Sequence, residues 1–142
     1  MARAHRVTHL DQIPSPTQPE PGDFQWKPVR RHFGVRSFGI NAMVAEGAGD
    51  WVVEDHDEMG GNAAQHEEIY FVARGHARFQ VGEEEIDAPA GTFVYVPDPE
   101  GRRSARAVEP GTAVLAVGGK PSEAFRVSRW EQKYFDEPSA PA

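Results

Sequence analysis

The chain contains no cysteine. That excludes disulfides, a thiol nucleophile and a zinc–thiolate site, and it suits a reducing compartment. No apolar run approaches the length needed to cross a membrane. The opening Met1-Ala-Arg-Ala-His-Arg leads into no apolar stretch, so no signal peptide is expected and the protein is read as cytoplasmic. Positive charge is scarce, with 15 Lys and Arg against 22 Asp and Glu and a net charge of −7. The dense basic clusters are two short ones, 29–32 and 102–106. No nucleic-acid partner is therefore expected, and no membrane partner. No repeat of fixed period is visible, and no Ser-His-Asp pattern with a nucleophile turn. Gly118-Gly119-Lys120 lacks the spacing of a phosphate-cradling loop.

What is present is turn-rich and strand-like. With 142 residues the chain suits one domain around one core, and 14 glycines and 12 prolines supply frequent turns. Residues 1–28 read as an extended N-terminal segment. Prolines 14, 16, 19 and 21 mark a linker there, and His5–Ile13 is a candidate edge strand. Apolar residues then alternate with period two through Ser37–Ala45, Trp51–Glu58, Glu67–Ala73, His76–Val81, Glu85–Ala88, Thr92–Val96, Arg103–Val108 and Thr112–Val117. Turns fall between these segments, the signature of a sandwich or barrel. Ser128–Phe135 alone looks helical, with Ser128 as its N-cap. A barrel over 29–136 and a flexible tail over 137–142 complete the division.

Two segments carry a resemblance. Glu68-Ile-Tyr-Phe-Val-Ala-Arg-Gly75 is similar to the end of the first cupin motif, and Gly91-Thr-Phe-Val-Tyr-Val-Pro97 to the start of the second. Gly82–Gly91 supplies the turn, strand and turn that join them. The resemblance covers roughly residues 37–118. It implies an all-β fold, the cupin double-stranded β-helix: a jelly-roll-like antiparallel β-barrel open at one end, here with a short C-terminal helix or turn. It also implies a ligand cavity at the mouth.

The family's metal ligands are three His and one Glu, and here they are largely replaced. Ala64 and Asn62 stand four and six residues before Glu68, and Arg102 stands five after Pro97. Arginine cannot ligate a cation. Two site readings follow. In one, His56, Glu58, His66 and Glu68 converge on a divalent Fe, Mn, Ni or Zn. His56 and Glu58 would share a strand face. In the other, no cofactor is held, His56–Glu58 belongs to a solvated acidic loop, and an inward arginine pairs with Glu68 or grips an anionic ligand. Arg103 is expected inward rather than Arg102, because it shares parity with Ala105 and Ala107. The ligand-binding set expected is His56, Glu68, Tyr70, Phe79, Tyr95 and Arg103. The favoured function is binding of a small organic molecule without metal, or with weak metallation. Alternatives are a metal-dependent isomerase, dioxygenase or cyclase, and a structural dimerisation domain. A homodimer through Trp26–Ile40 and one sheet edge is expected.

Overall fold

The computed structural model describes residues 4–61 and 63–135. The expected loose tail, 137–142, lies outside them, as does Asn62.

Nine strands form two antiparallel sheets. They are β1 (Gln25–Lys27), β2 (Gly39–Val44), β3 (Trp51–His56), β4 (Glu67–Arg74), β5 (His76–Val81), β6 (Glu84–Pro89), β7 (Phe93–Val96), β8 (Arg103–Ala107) and β9 (Ala113–Gly119). One sheet runs β1-β2-β9-β4-β7 and the other β3-β8-β5-β6. Strands after β1 fall within a residue or two of the alternating segments, because alternation fixes which face each side chain takes. The core lies between the sheets. Met43, Tyr70, Val72, Val94, Val96 and Val114 enter from one side, and Val52, Ala77, Phe79, Ala105 and Ala107 from the other. Phe79 is fully buried, and burying a side chain of that size stabilises by about 1.5–3 kcal/mol.

Three expectations need correction. His5–Ile13 is no strand. Leu10–Gln12 is a short 3₁₀ turn that places Ile13 in a buried position, where its carbonyl accepts from Lys27 Nζ at 2.9 Å. The barrel begins before residue 29, since Gln25–Lys27 already pairs with β2 from Val44 to Ala42. Among the described residues there are two short α-helices, not one. Helix α1 (Val29–Phe33) follows Pro28, and α2 (Arg129–Gln132) is shorter than the Ser128–Phe135 pattern. Ser128 stands at the N-cap of α2 but makes no side-chain cap bond.

The two helices meet across the chain. Arg30 of α1 donates to Glu131 of α2 through Nε at 2.8 Å and Nη2 at 2.6 Å, both side chains nearly excluded from solvent. The ring of Trp26 packs against Trp130 at 4.9 Å, Tyr134 at 5.3 Å and Phe135 at 5.9 Å. The C-terminal segment is thereby fastened beside β1 and walls one side of the open end. Among the described residues no helix is long and apolar enough to cross a membrane.

Candidate functional site

The site grows from irregularities in β3. Its ladder with β8 shifts register twice, between Trp51 and Val53 and between Val53 and His56, and the second shift sets His56 opposite Arg103. Bulges of this kind re-aim side chains. His56 closes the strand, and its Nδ1 donates to the Glu54 carbonyl at 2.6 Å. This leaves Nε2 facing inward.

Glu58 reaches the same point from beyond the strand end, so strand parity is not what unites it with His56. Its N–H donates to the Pro99 carbonyl at 2.8 Å, and its carbonyl accepts from Gln65 N–H at 3.1 Å. Gln65 takes a positive φ of 57° to close this loop. The Glu58 side chain is buried, with Oε2 3.2 Å from His56 Nε2. Glu68 arrives on β4, between Val96 of β7 and Gly118 of β9. Its Oε1 lies 3.7 Å from His56 Nε2 and 3.8 Å from Arg103 Nη1, and accepts from the Tyr70 hydroxyl at 2.5 Å. Gly118 permits this approach, since a Cβ there would lie 2.8 Å from the Glu67 carbonyl oxygen and 3.1 Å from Glu68 Cγ.

Burial of His56 opposes its charge, yet hydrogen bonds with Glu58 and Glu68 prevail and push its pKa up to about 10. Glu68 is also disfavoured as an anion by burial. Bonds from His56 and Tyr70 and the Arg103 charge outweigh that and hold it below the usual carboxylate range. Burial, then the neighbouring Glu68 charge, raise Tyr70 well above an ordinary phenol. The group thus brings two acidic side chains, Glu58 and Glu68, against two basic ones, His56 and Arg103.

One ligand atom each from His56, Glu58 and Glu68 lies within 4.8 Å of the others. An imidazole and two carboxylates are a donor set that fits a divalent ion in chemistry and in span. His66 is not part of that group.

Above the group opens a cavity of about 750 Å³. His56, Glu58, Glu68 and Tyr70 line it, as does His66 separately beside Phe125. Three expected contacts lie elsewhere. Phe79 is core, its ring 5.6 Å from Tyr70 and outside the cavity lining. Tyr95 is on the outer face, because Val94 and Val96 take the inward positions of β7, and its hydroxyl donates to Glu67 at 3.2 Å. Arg103 does point inward and Arg102 outward to Asp55 at 3.0 Å, as parity requires. Yet Arg103 has no solvent exposure and does not line the cavity, so it backs Glu68 rather than gripping a ligand. The expected anionic ligand loses its partner, and the lining is rich in carboxylates, among them Glu20, Asp23, Glu54 and Asp57. Phe125, Trp130 and Tyr134 also line the cavity. Sequence reasoning missed them, because nothing in a local pattern says where a C-terminal segment docks.

No protein-family model matches this chain, and no curated protein sequence matches it. Solved structures do. A Cupin 2 conserved barrel domain protein from Salinispora arenicola superposes with a TM-score of 0.60 at 16% identity, covering 84% of this chain and 92% of that one. A cupin protein from Bacteroides fragilis gives 0.56 at 18% identity, over 75% and 84%. A putative sugar phosphate isomerase from Acidithiobacillus ferrooxidans gives 0.56 at 23% identity, over 69% and 60%. The chain has the all-β cupin fold, with two antiparallel sheets and only short helices.

Proposed function

We propose that this cupin barrel binds a small organic molecule in the cavity above His56, Glu58, Glu68 and Tyr70, and that it needs no metal to do so. The observation that carries this reading is the closure of charge at the floor. His56 bridges both carboxylates, and Arg103 and Tyr70 complete the shell of Glu68. Both ring nitrogens of His56 are spent on Glu54, Glu58 and Glu68, so the floor presents the carboxylates it holds in place as fixed acceptors, at the end of a cavity large enough for a drug-sized molecule. The barrel supplies rigidity, since the floor residues sit on or beside paired strands.

The second reading is a metal-dependent cupin enzyme of the isomerase, dioxygenase or cyclase kind. It is favoured by the compact ligand atoms of His56, Glu58 and Glu68, and by a similar fold in a protein named a putative sugar phosphate isomerase. Those three residues would hold the ion, and the ion would supply Lewis-acid polarisation. Tyr70 would still donate to Glu68 and fix its rotamer.

One experiment separates the two. Protein purified without added metal is examined by nitrogen NMR of the histidine rings at pH 7, then titrated with Fe, Mn, Ni or Zn. The first reading expects both His56 nitrogens protonated and an unchanged melting temperature. A bound ion at a hundredfold excess over its Kd would add about 2.7 kcal/mol. A rise of several degrees that His56→Ala abolishes overturns the first reading and establishes the second.

A further inference from the structure

The floor group satisfies its own charges, so the ligand's character is set by what remains unsatisfied around it. Glu20, Asp23, Glu54 and Asp57 line the cavity. Asp23 accepts from the Phe24 N–H and Asp57 from the Met59 N–H, each at 2.9 Å. None of the four forms an ion pair among the described residues. Two cations share that lining: Arg102, paired with Asp55 at 3.0 Å, and Lys133, whose Nζ lies 5.3 Å from the Tyr134 ring centre.

An independent observation comes from His66. His66 is only 6% exposed, lines the cavity, and has an Nε2 with no hydrogen-bond partner among the described residues. Its ring lies 5.2 Å from that of Phe125. Buried nitrogens are rarely left without a partner. An imidazole nitrogen that carries no proton accepts a hydrogen bond. The unsatisfied groups are thus the four carboxylates and the His66 nitrogen, and Phe24, Trp26, Phe125 and Trp130 supply apolar lining beside them.

We infer, on the reading of this cavity as the binding site, that its ligand is a small organic cation: an amine on an apolar or aromatic body, its charged end held by the carboxylates of the mouth and a second donor bonded to His66. Aromatic walls suit such a body, and a desolvated cation gains from their faces. An anion of the same shape meets more carboxylates than cations on the lining.

The test uses the full chain and four probes of matched shape: tyramine, its neutral counterpart tyrosol, the anion 3-(4-hydroxyphenyl)propionate, and phenethylamine, which lacks the phenol. Binding is followed by calorimetry and by the ring signals of His56 and His66. Tyramine is expected to bind about tenfold more tightly than tyrosol, the increment of one charge-assisted hydrogen bond, and the anion not at all. Glu54→Gln should weaken tyramine several-fold while leaving tyrosol unchanged. His66→Phe should erase the preference for tyramine over phenethylamine, and His66→Gln, which keeps an acceptor, should retain it. Anion binding as tight as that of tyramine, or tyramine binding untouched by Glu54→Gln and His66→Phe, overturns the inference. Equal binding of tyrosol and tyramine with His56 perturbed defeats the charge preference and leaves the binding site standing. No response of either histidine to any probe defeats both.

Discussion

Arg103 carries a permanent charge at a position without solvent contact, and its Nε and Nη1 have no hydrogen-bond partner among the described residues. Its support is Glu68 at 3.8 Å and the Asp98 carbonyl, which accepts from Nη2 at 3.3 Å. Removing it leaves a hole and withdraws one of the partners of Glu68, so Arg103→Ala should destabilise by about 3 kcal/mol in denaturant unfolding. Arg103→Met fills the volume without orphaned donors and should cost less than about 1 kcal/mol. Equal losses in the two variants would show that the charge, not the volume, matters. His56 sets the pH response. Its folded pKa of about 10 lies above the ordinary 6.5. Between those values the folded state keeps a proton that the unfolded chain has released. Stability contributed by His56 is then fully present below pH 6.5 and falls as pH rises, by at most about 1.4 kcal/mol per unit. Unfolding measured from pH 7 to 9 should show that decline in the native chain and lack it in His56→Gln.

At the scale of the element, alternation located the strands and failed where a strand stops being regular. Trp51–Glu58 reads as one alternating strand, but its bulges and its end at His56 decide where the imidazole and Glu58 point. Tyr95 was misjudged, though Val94 and Val96 beside it carry the parity that sends it outward. The glycines of the two motifs illustrate a distinction that sequence does not make. Gly75 and Gly91 both have positive φ, 78° and 96°. A Cβ on Gly75 would lie 2.7 Å from Thr112 Cα, whereas one on Gly91 meets nothing within 4 Å. Gly91→Ala should therefore cost only the backbone strain, about 1 kcal/mol. Gly75→Ala adds a clash with backbone and should cost about 3 kcal/mol. Thermal melts of the two variants check the order, and a larger loss for Gly91→Ala would contradict it.

For the whole molecule, the aromatic lead-in expected at a dimer interface is covered at Trp26, while Phe38 stays 43% exposed. Trp26 is packed by Trp130, Tyr134 and Phe135 of its own chain. A contiguous exposed apolar row lies on the outer face of β4 and the edge strand β7. Phe93 is 65% exposed there, Tyr95 57% and Ile69 37%. Phe71 stacks on Phe93 at 4.5 Å in the same row. A homodimer, if this surface is what it buries, should dissociate when Phe93→Lys is introduced on an edge strand. Light scattering at micromolar concentration should report a dimer for the native chain and a monomer for the variant. A native monomer would refute it.

The sequence by itself determined the class of fold, the order of strands, the absence of thiol chemistry and the inward parity of Arg103. These depend on local alternation and on residue type, which a linear string carries in full. It also put forward His56, Glu58, His66 and Glu68 as one candidate set, and His56, Glu68, Tyr70, Phe79, Tyr95 and Arg103 as another. Tertiary structure decided the rest. Which of these touch, that His66 stands apart from them, that Arg103 is sealed behind Glu68, and that residues 125–134 wall the cavity all depend on bulges, loop closure and docking of a distant segment. Those are contacts between residues far apart in the chain, settled by packing rather than by any local pattern.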